Sequence, residues 1–188
     1  MKLICIGDSI TFGYGVKYEC RWPSLLRSKR GWDVLNLGVN GDSTEGMLRR
    51  FAYTGEIAGA AVHIMGGYND IFCGGSATEA LTNIEKLVFA SISRGAAPVV
   101  GIPPEIGKGV FSDMLFENRE AGAACAEIRE LAEDLRCFCR RENVPFVDYN
   151  DGWDDSWFLD GVHPDEEGHR FICGRVESMI DRLNNIGQ

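Results

Sequence analysis

Five short apolar runs recur along the chain and are separated by longer stretches of mixed polarity. Several of these runs contain almost no polar residue, which is typical of parallel strands that helices cover on both faces. The pattern predicts strands at residues 2–6, 33–37, 61–65, 98–102 and 145–148.

The longer stretches place apolar residues at helical spacing. Residues 76–94 begin at Ser76 and have Glu79 three positions later, the pattern of a capping box at a helix start. Residues 116–142 carry acidic residues early and arginines late, which complements a helix dipole. Proline is favoured in a first helical turn, so the last helix is predicted to begin near Pro164.

Strands that alternate with helices favour a doubly wound α/β fold. We therefore predict a three-layer α/β/α sandwich around a five-stranded parallel sheet. The 188 residues, of which 45% are hydrophobic, suit a single domain over residues 1–188. Ligands of such sheets bind at the carboxyl ends of the strands. Residues 103–113 leave one of these ends and are expected to form a mobile loop.

Residues suited to acyl transfer follow the predicted strands. Ser9 comes after the first strand, and Asp160 and His163 come after the fifth. A serine hydroxyl needs an adjacent base at neutral pH, and a carboxylate can orient that base. Together these residues favour a serine hydrolase. Taken alone, the second segment has another interpretation, in which Asp160 caps the last helix and His163 only decorates its start.

The two other histidines are weaker candidates for the base. His63 lies inside an apolar run and is interpreted as a packed strand residue. His169 lies in the last predicted helix, where it is interpreted as structural or exposed, although it could border the site. Neither has a carboxylate placed as Asp160 is, so His163 is the preferred base.

Two further strand ends offer groups that can stabilise negative charge. Gly41 lets a backbone N–H approach a ligand closely, and Asn69 has an amide that can donate a hydrogen bond. Each segment alone can also be an ordinary turn, the first of them a helix start capped by Asp42 or Ser43. These residues indicate a site that stabilises negative charge only in combination with the other segments.

The combination resembles the four signature blocks of the SGNH, or GDSL-type, hydrolases. The order and approximate spacing match over nearly the whole chain, although Ile10 stands where the family's first block usually has leucine. The matching segments are Gly7-Asp8-Ser9, Gly41, Gly67-Tyr68-Asn69-Asp70 and Asp160-Gly161-Val162-His163.

The resemblance implies a flavodoxin-like fold and a role for each site residue. Ser9 would be the nucleophile, His163 the general base and then general acid, and Asp160 the residue that orients the imidazole. The N–H groups of Ser9 and Gly41 and the side chain of Asn69 would form the oxyanion hole. No cofactor and no metal is expected, because such a triad supplies both the base and the electrostatic stabilisation.

Two more carboxylates belong to the matching blocks. Asp8 and Asp70 would hold the site loops by hydrogen bonds, because a carboxylate that only accepts hydrogen bonds would oppose an oxyanion beside it. They are predicted as supporting residues.

The resemblance implies cleavage of a carboxylic ester by an esterase, lipase, lysophospholipase or thioesterase, and the substrate stays open. Aromatic and apolar residues near the predicted site suit either an acyl pocket or the core, and three others suit either packing or a sugar ring. The first group is Phe12, Tyr14, Tyr18, Trp22, Phe111, Met114 and Phe116, and the second is Trp153, Trp157 and Phe158. Acetylated carbohydrates are therefore an alternative to lipid-type esters.

A different class of protein is also considered, a non-catalytic binding module of flavodoxin-like fold. The turn after the first strand lacks both the dinucleotide-binding glycine pattern and the phosphate-binding lysine. The hydrolase is therefore the preferred interpretation.

Composition limits the partners and the compartment. The net charge of −9 disfavours nucleic acid and anionic membranes as main partners. The apolar N-terminal run is too short for a signal peptide, and no run approaches the ~20 apolar residues of a membrane span. Seven scattered cysteines are interpreted as buried reduced thiols. The sequence predicts a soluble cytoplasmic protein without stable membrane insertion, which acts on a small ester and whose oligomeric state is open.

Overall fold

A computed structural model describes residues 1–106 and 121–186, which form a five-stranded parallel sheet between helices. The order of the strands across the sheet is β2-β1-β3-β4-β5, the order of flavodoxin-like folds. Every neighbouring pair is parallel. The strands are β1 (Lys2–Gly7), β2 (Asp33–Gly38), β3 (Ala61–Met65), β4 (Ala97–Ile102) and β5 (Phe146–Asp148).

Helices follow the strands in the alternation that the sequence predicts. They are α1 (Ser9–Phe12), α2 (Trp22–Arg30), α3 (Thr44–Phe51), α4 (Tyr68–Phe72), α5 (Ala77–Ser93), α6 (Ala121–Arg141) and α7 (Glu166–Ile186). Helix α2 packs against α7, whereas α5 packs against both α3 and α6. These two groups of helices make the outer layers of the predicted sandwich.

The strand predictions are confirmed to within one residue at each end. The strands β1 and β3 are almost wholly buried, as expected for strands covered on both faces. The predicted flavodoxin-like α/β/α architecture is therefore correct. Within the described residues, no helix has the length and apolar content needed to cross a membrane.

The helix predictions differ from the structure at one boundary. The capping box of α5 is present, with Ser76 and Glu79 each bonded to the other's backbone N–H. Helix α7 begins at Glu166, close to the predicted start, but Pro164 lies before its first turn and forms an isolated antiparallel bridge with Phe158. Asp165 caps α7 by accepting hydrogen bonds from two N–H groups of its first turn.

Other expectations fall partly or wholly outside the described residues. The predicted helix at 116–142 is described from residue 121 onwards, and the predicted mobile loop at 103–113 only as far as residue 106. All seven cysteines are free thiols. The prediction that they are buried is wrong for Cys73, which follows the end of α4, and for Cys137 on α6, because both are exposed.

Candidate active site

Ser9 lies where β1 passes directly into α1. Asp8 caps this one-turn helix by accepting a hydrogen bond from the Ile10 N–H at 3.0 Å. Ser9 is the first residue of α1, so its own N–H has no acceptor within the helix. Gly7 permits the sharp turn, since a Cβ there would collide with the Thr11 side chain and lie 2.6 Å from the Met65 carbonyl oxygen.

His163 and Asp160 share one short closed loop before α7. The Leu159 N–H donates to the His163 carbonyl at 2.8 Å and closes the loop, and Gly161 turns it with a φ of 88°. Asp160 Oδ1 accepts the N–H groups of Val162 and His163 at 3.1 and 2.8 Å. The loop therefore fixes the carboxylate, and Asp165 rather than Asp160 caps the last helix.

A continuous line of hydrogen bonds joins the three predicted residues. Asp160 Oδ2 lies 2.7 Å from His163 Nδ1, and His163 Nε2 lies 3.0 Å from Ser9 Oγ. With a proton on Nδ1, the Nε2 atom can accept the serine proton. This arrangement can activate a serine for attack on an acyl carbon.

Burial and hydrogen bonds act in opposite directions on the pKa of the Asp160 carboxyl. Partial burial favours its neutral form, but hydrogen bonds from the His163 side chain and from the backbone of His163 and Val162 outweigh burial and lower its pKa. The carboxylate therefore stays ionised at neutral pH, where it can stabilise an imidazolium.

The predicted oxyanion donors lie at the ends of β1, β2 and β3. Gly41 has a φ of 72°, and nothing lies within 4 Å of a Cβ built on it. The amide of Asn69 donates from Nδ2 to the Asp42 carbonyl at 3.0 Å. This hydrogen bond fixes the amide and uses only one of its two protons, which leaves the other for a ligand.

Asp70 joins α4 to the start of α3. Its Oδ1 accepts the Thr44 hydroxyl at 2.6 Å, and its Oδ2 accepts the Thr44 N–H at 2.9 Å. Burial raises the pKa of Asp70, although the hydrogen bonds from Thr44 oppose that rise. Asp70 thus supports the loops that carry Gly41 and Asn69.

Asp8 is almost fully buried beneath the site. Burial raises its pKa to about 7, helped by the nearby carboxylates of Asp70 and Asp42 and opposed by the Ile10 N–H. Its contact with the Ile10 N–H makes it a cap for the helix that carries Ser9.

His63 and His169 lie apart from the line of hydrogen bonds. His63 is buried in β3 with its Nε2 2.8 Å from the Tyr149 hydroxyl, and burial lowers its pKa to about 3. His169 is buried too, so the expectation that it could be exposed is wrong. Its Nδ1 faces the Trp22 N–H at 3.4 Å, and burial, with the charge of Arg21, lowers its pKa to about 4.

The aromatic candidates have different surroundings. Tyr14 is half exposed, and its ring centroid lies 4.5 Å from that of His163. Tyr18 is also exposed, whereas Trp22 belongs to the core. Trp153, Trp157 and Phe158 pack in one aromatic cluster with Phe171 and are half-buried. The candidates Phe111, Met114 and Phe116 lie outside the described residues.

The sequence analysis missed Arg50, which braces the site. The Arg50 guanidinium binds the Asp42 carboxylate, which had been considered only as a helix cap. Of the two caps that the sequence offers for α3, Ser43 is the one observed, and its side chain accepts the Gly46 N–H. Two of Arg50's other acceptors are backbone carbonyls, which leave no side-chain pattern in the sequence.

Comparison with known proteins shows the family of the chain. The chain matches the GDSL-like lipase/acylhydrolase family over residues 5–171 and belongs to it. It is 29% identical over 189 residues to an arylesterase of Vibrio mimicus, with 95% of this chain and 88% of that protein covered. The chain is therefore an ester-hydrolysing enzyme, rather than the non-catalytic binding module that the sequence left as an alternative.

Solved structures of similar proteins share the fold. A member of the lipolytic G-D-S-L family from Veillonella parvula DSM 2008 has a TM-score of 0.81 at 25% identity, with 97% of this chain and 99% of that chain covered. A carbohydrate acetylesterase family member from Sinorhizobium meliloti has a TM-score of 0.80 at 24% identity, with coverages of 97% and 98%. At 24% identity, the similarity to the Sinorhizobium meliloti protein shows a shared fold alone.

Proposed function

We propose that the chain hydrolyses carboxylic esters through an acyl-enzyme on Ser9. The observation that carries this proposal is the line of hydrogen bonds from Asp160 Oδ2 through His163 to Ser9 Oγ, at 2.7 and 3.0 Å. Within it, His163 is the general base and then the general acid, and Asp160 orients the imidazole.

The reaction has two half-reactions with the same groups. Ser9 Oγ attacks the ester carbon while His163 Nε2 takes its proton, and the carbonyl oxygen becomes an oxyanion. The intermediate collapses, the bond to the alcohol oxygen breaks, and His163 returns the proton to that leaving alcohol. Water then attacks the acyl-enzyme in the same way, which releases the acid and restores Ser9.

Three donors would stabilise the oxyanion in both half-reactions. They are the N–H groups of Ser9 and Gly41 and the second amide proton of Asn69. Support comes from the first position of Ser9 in α1, the open space beside Gly41 and the anchored Asn69 amide. A donor aimed at the developing charge stabilises the transition state more than the substrate.

Replacement of Ser9 tests the proposal. Ser9→Ala should abolish hydrolysis of p-nitrophenyl acetate, whereas Ser28→Ala should leave it unchanged, because Ser28 is an exposed residue of α2. A fluorophosphonate probe should add one label, on the peptide that contains Ser9. Undiminished activity in a folded Ser9→Ala protein would refute the proposal.

For the substrate, we propose a small ester with an aromatic or other apolar group near Tyr14. The half-exposed Tyr14 ring lies beside His163 and can stack on such a group. The similarity to an arylesterase supports the same class.

Acetylated carbohydrates are a second candidate, favoured by a cleft of about 600 Å³ that begins at Asn69. It lies between α3 and α5, and its walls include Ser43, Thr78, Thr82, Asn83 and Lys86. Hydroxylated groups can bond such walls, whereas an alkyl chain gains little there. A panel of aryl acetates, p-nitrophenyl esters of rising acyl length, thioesters and acetylated sugars separates the candidates by kcat/KM.

Three further proposals concern the protein as a whole. We propose that residues 1–188 form one hydrolase domain, supported by the continuous core around the single described sheet. We propose a cytoplasmic location, supported by seven free thiols. We also propose that no nucleic acid is bound, since a net charge of −9 repels phosphates.

A further inference from the structure

Arg50, in the last turn of α3, binds three separate stretches of backbone or side chain. Its Nε donates to Asp42 Oδ2 at 2.9 Å, and Nη2 also contacts that oxygen. Its Nη1 donates to the Leu37 carbonyl at 2.7 Å, and Nη2 donates to the Gly7 carbonyl at 3.2 Å. One guanidinium therefore ties the carboxyl ends of β1 and β2 to the turn before α3.

The stretches that Arg50 binds lead to the proposed oxyanion donors. Gly7 lies two residues before Ser9, and Asp42 is the residue after Gly41. The carbonyl of Asp42 also accepts the Asn69 amide at 3.0 Å. Arg50 thus binds the backbone two residues before Ser9 and, through Asp42, is linked to Gly41 and to the Asn69 amide.

Arginine suits this place because its planar group presents donors in several fixed directions. A lysine has one nitrogen and cannot reach Asp42 and two carbonyls in the same geometry. The ion pair between Arg50 and Asp42 is also partly shielded from solvent, with side-chain exposures of 30% for Arg50 and 16% for Asp42. Arg49, the residue before Arg50, instead forms an exposed ion pair with Glu45. Exposed ion pairs contribute little to stability.

We propose that Arg50 is a positioning residue that holds the three oxyanion donors at their mutual distances. The proposal rests on the function proposed for Ser9, Gly41 and Asn69. Arg50 has no contact with His163 or with the Ser9 hydroxyl among the described hydrogen bonds. Its loss should therefore weaken oxyanion stabilisation and leave the base intact.

Arg50→Lys tests the proposal, with Arg49→Lys as the matched control. Misplaced donors should lower the kcat for p-nitrophenyl acetate by about 10- to 100-fold and change KM by less than about 2-fold. The midpoint of the acid limb of kcat/KM against pH should not move, because it reports the base. Arg49→Lys should match the wild type. Wild-type kcat in Arg50→Lys, a shifted midpoint, or an equal loss in the control would overturn the proposal.

A double variant with Asn69→Ala distinguishes a positioning role of Arg50 from a general loss of stability. Asn69→Ala removes one donor, so part of the effect of Arg50→Lys should already be lost in that background. The double variant should therefore be several-fold more active than the product of the two single losses predicts. Strictly multiplicative losses would contradict the proposal.

If circular dichroism shows that Arg50→Lys does not fold, Asp42→Asn is used to test the same proposal. It keeps the carbonyl that binds Asn69 and removes the ionic partner of Arg50, so kcat should fall by several-fold at unchanged KM. Unchanged kcat in this variant would overturn the proposal. Ser9→Ala separates the two failures, because its full activity would refute the proposed function, whereas an inactive Ser9→Ala with a fully active Arg50→Lys would refute only the role of Arg50.

Discussion

His163 Nε2 lies 3.0 Å from Ser9 Oγ, although 154 residues separate the two positions along the chain. The sheet produces this contact, because β1 ends at Gly7, and the loop before α7 returns to the same edge. Local hydrogen bonds fix the backbone that carries Ser9 and the imidazole of His163: Asp8 caps the helix of Ser9, and Asp160 binds the imidazole. The contact is therefore preorganised.

Asp160→Asn should reduce kcat by about a thousandfold or more and leave the fold intact. An amide at this place can donate to Nδ1, which favours the tautomer with a proton on Nε2 and removes the acceptor for the serine proton. Steady-state kinetics with p-nitrophenyl acetate measure the loss. Asp151→Asn is the control, because Asp151 is exposed and pairs only with Arg175 among the described ion pairs. A loss below about tenfold would show that the carboxylate is not needed.

His163→Ala should abolish turnover, whereas His63→Ala should mainly reduce stability. His63 is buried against Tyr149, so its removal leaves a cavity and an unpaired hydroxyl, at a cost of about 2–4 kcal/mol. Urea unfolding and kinetics below the unfolding transition distinguish the effects. If the folded His63→Ala protein lost turnover and His163→Ala kept it, the assignment of the base would be wrong.

Gly41→Ala should lower kcat, while it should lower thermal stability only about as much as Gly31→Ala does. Its φ of 72° is unfavourable for alanine, so the turn is strained by about 1 kcal/mol or relaxes and moves the N–H. Gly31→Ala is a close control, since Gly31 has a φ of 62°, equal free space and a place at the end of α2. Both variants should lose similar thermal stability, and only Gly41→Ala should lose activity. Equal kcat in the two proteins would exclude a role for the Gly41 N–H.

Asp8 should make the protein less stable as the pH rises from about 4 to about 7. Its pKa is raised to about 7 when folded, so in this window the folded state binds more protons than the unfolded state and loses stability with rising pH. Asp8→Asn removes this dependence and should be more stable at pH 8, by on the order of a few kcal/mol.

Urea unfolding of both proteins at pH 5 and pH 8 checks the effect of Asp8. The wild type should lose more stability than Asp8→Asn between the two values. His63 acts in the opposite direction, because its pKa is lowered to about 3 and its contribution to stability is lost as the pH falls below about 6.5. It is common to both proteins and cancels in the comparison. The same change in both would mean that Asp8 does not titrate in this range.

The strands could be predicted because burial on both faces leaves an almost continuous apolar run, as in β3, where His63 is the one polar residue. The sequence analysis gave no bounds for α2 and α3 and offered the start of α3 only as an alternative interpretation. They are nine and eight residues long, and α3 includes Gly46, a poor helix former. Gly46 is needed there because a Cβ would collide with the Asp42 carboxylate. The Asp42 carboxylate, which Arg50 holds in place, thus favours glycine at a position where glycine weakens the local pattern.

The candidate site could be predicted as a set of residues together with its supporting carboxylates Asp8 and Asp70, but the contribution of Arg50 could not. Ser9, Asn69 and His163 lie in recognisable segments at strand ends, and topology brings strand ends together. The links from Arg50 to the carbonyls of Gly7 and Leu37 depend on where the end of α3 lies over the sheet. A backbone acceptor is the same at every residue, so no sequence pattern marks it.

The closed loop at residues 159–163 gives the base and its carboxylate a common frame. Asp160 and His163 are bonded to each other and to the loop's own backbone, while Ser9 belongs to a different element. A displacement of this loop would therefore carry the imidazole and its partner as one piece. It would change the distance across which the proton moves, while the tautomer that receives the proton stayed the same.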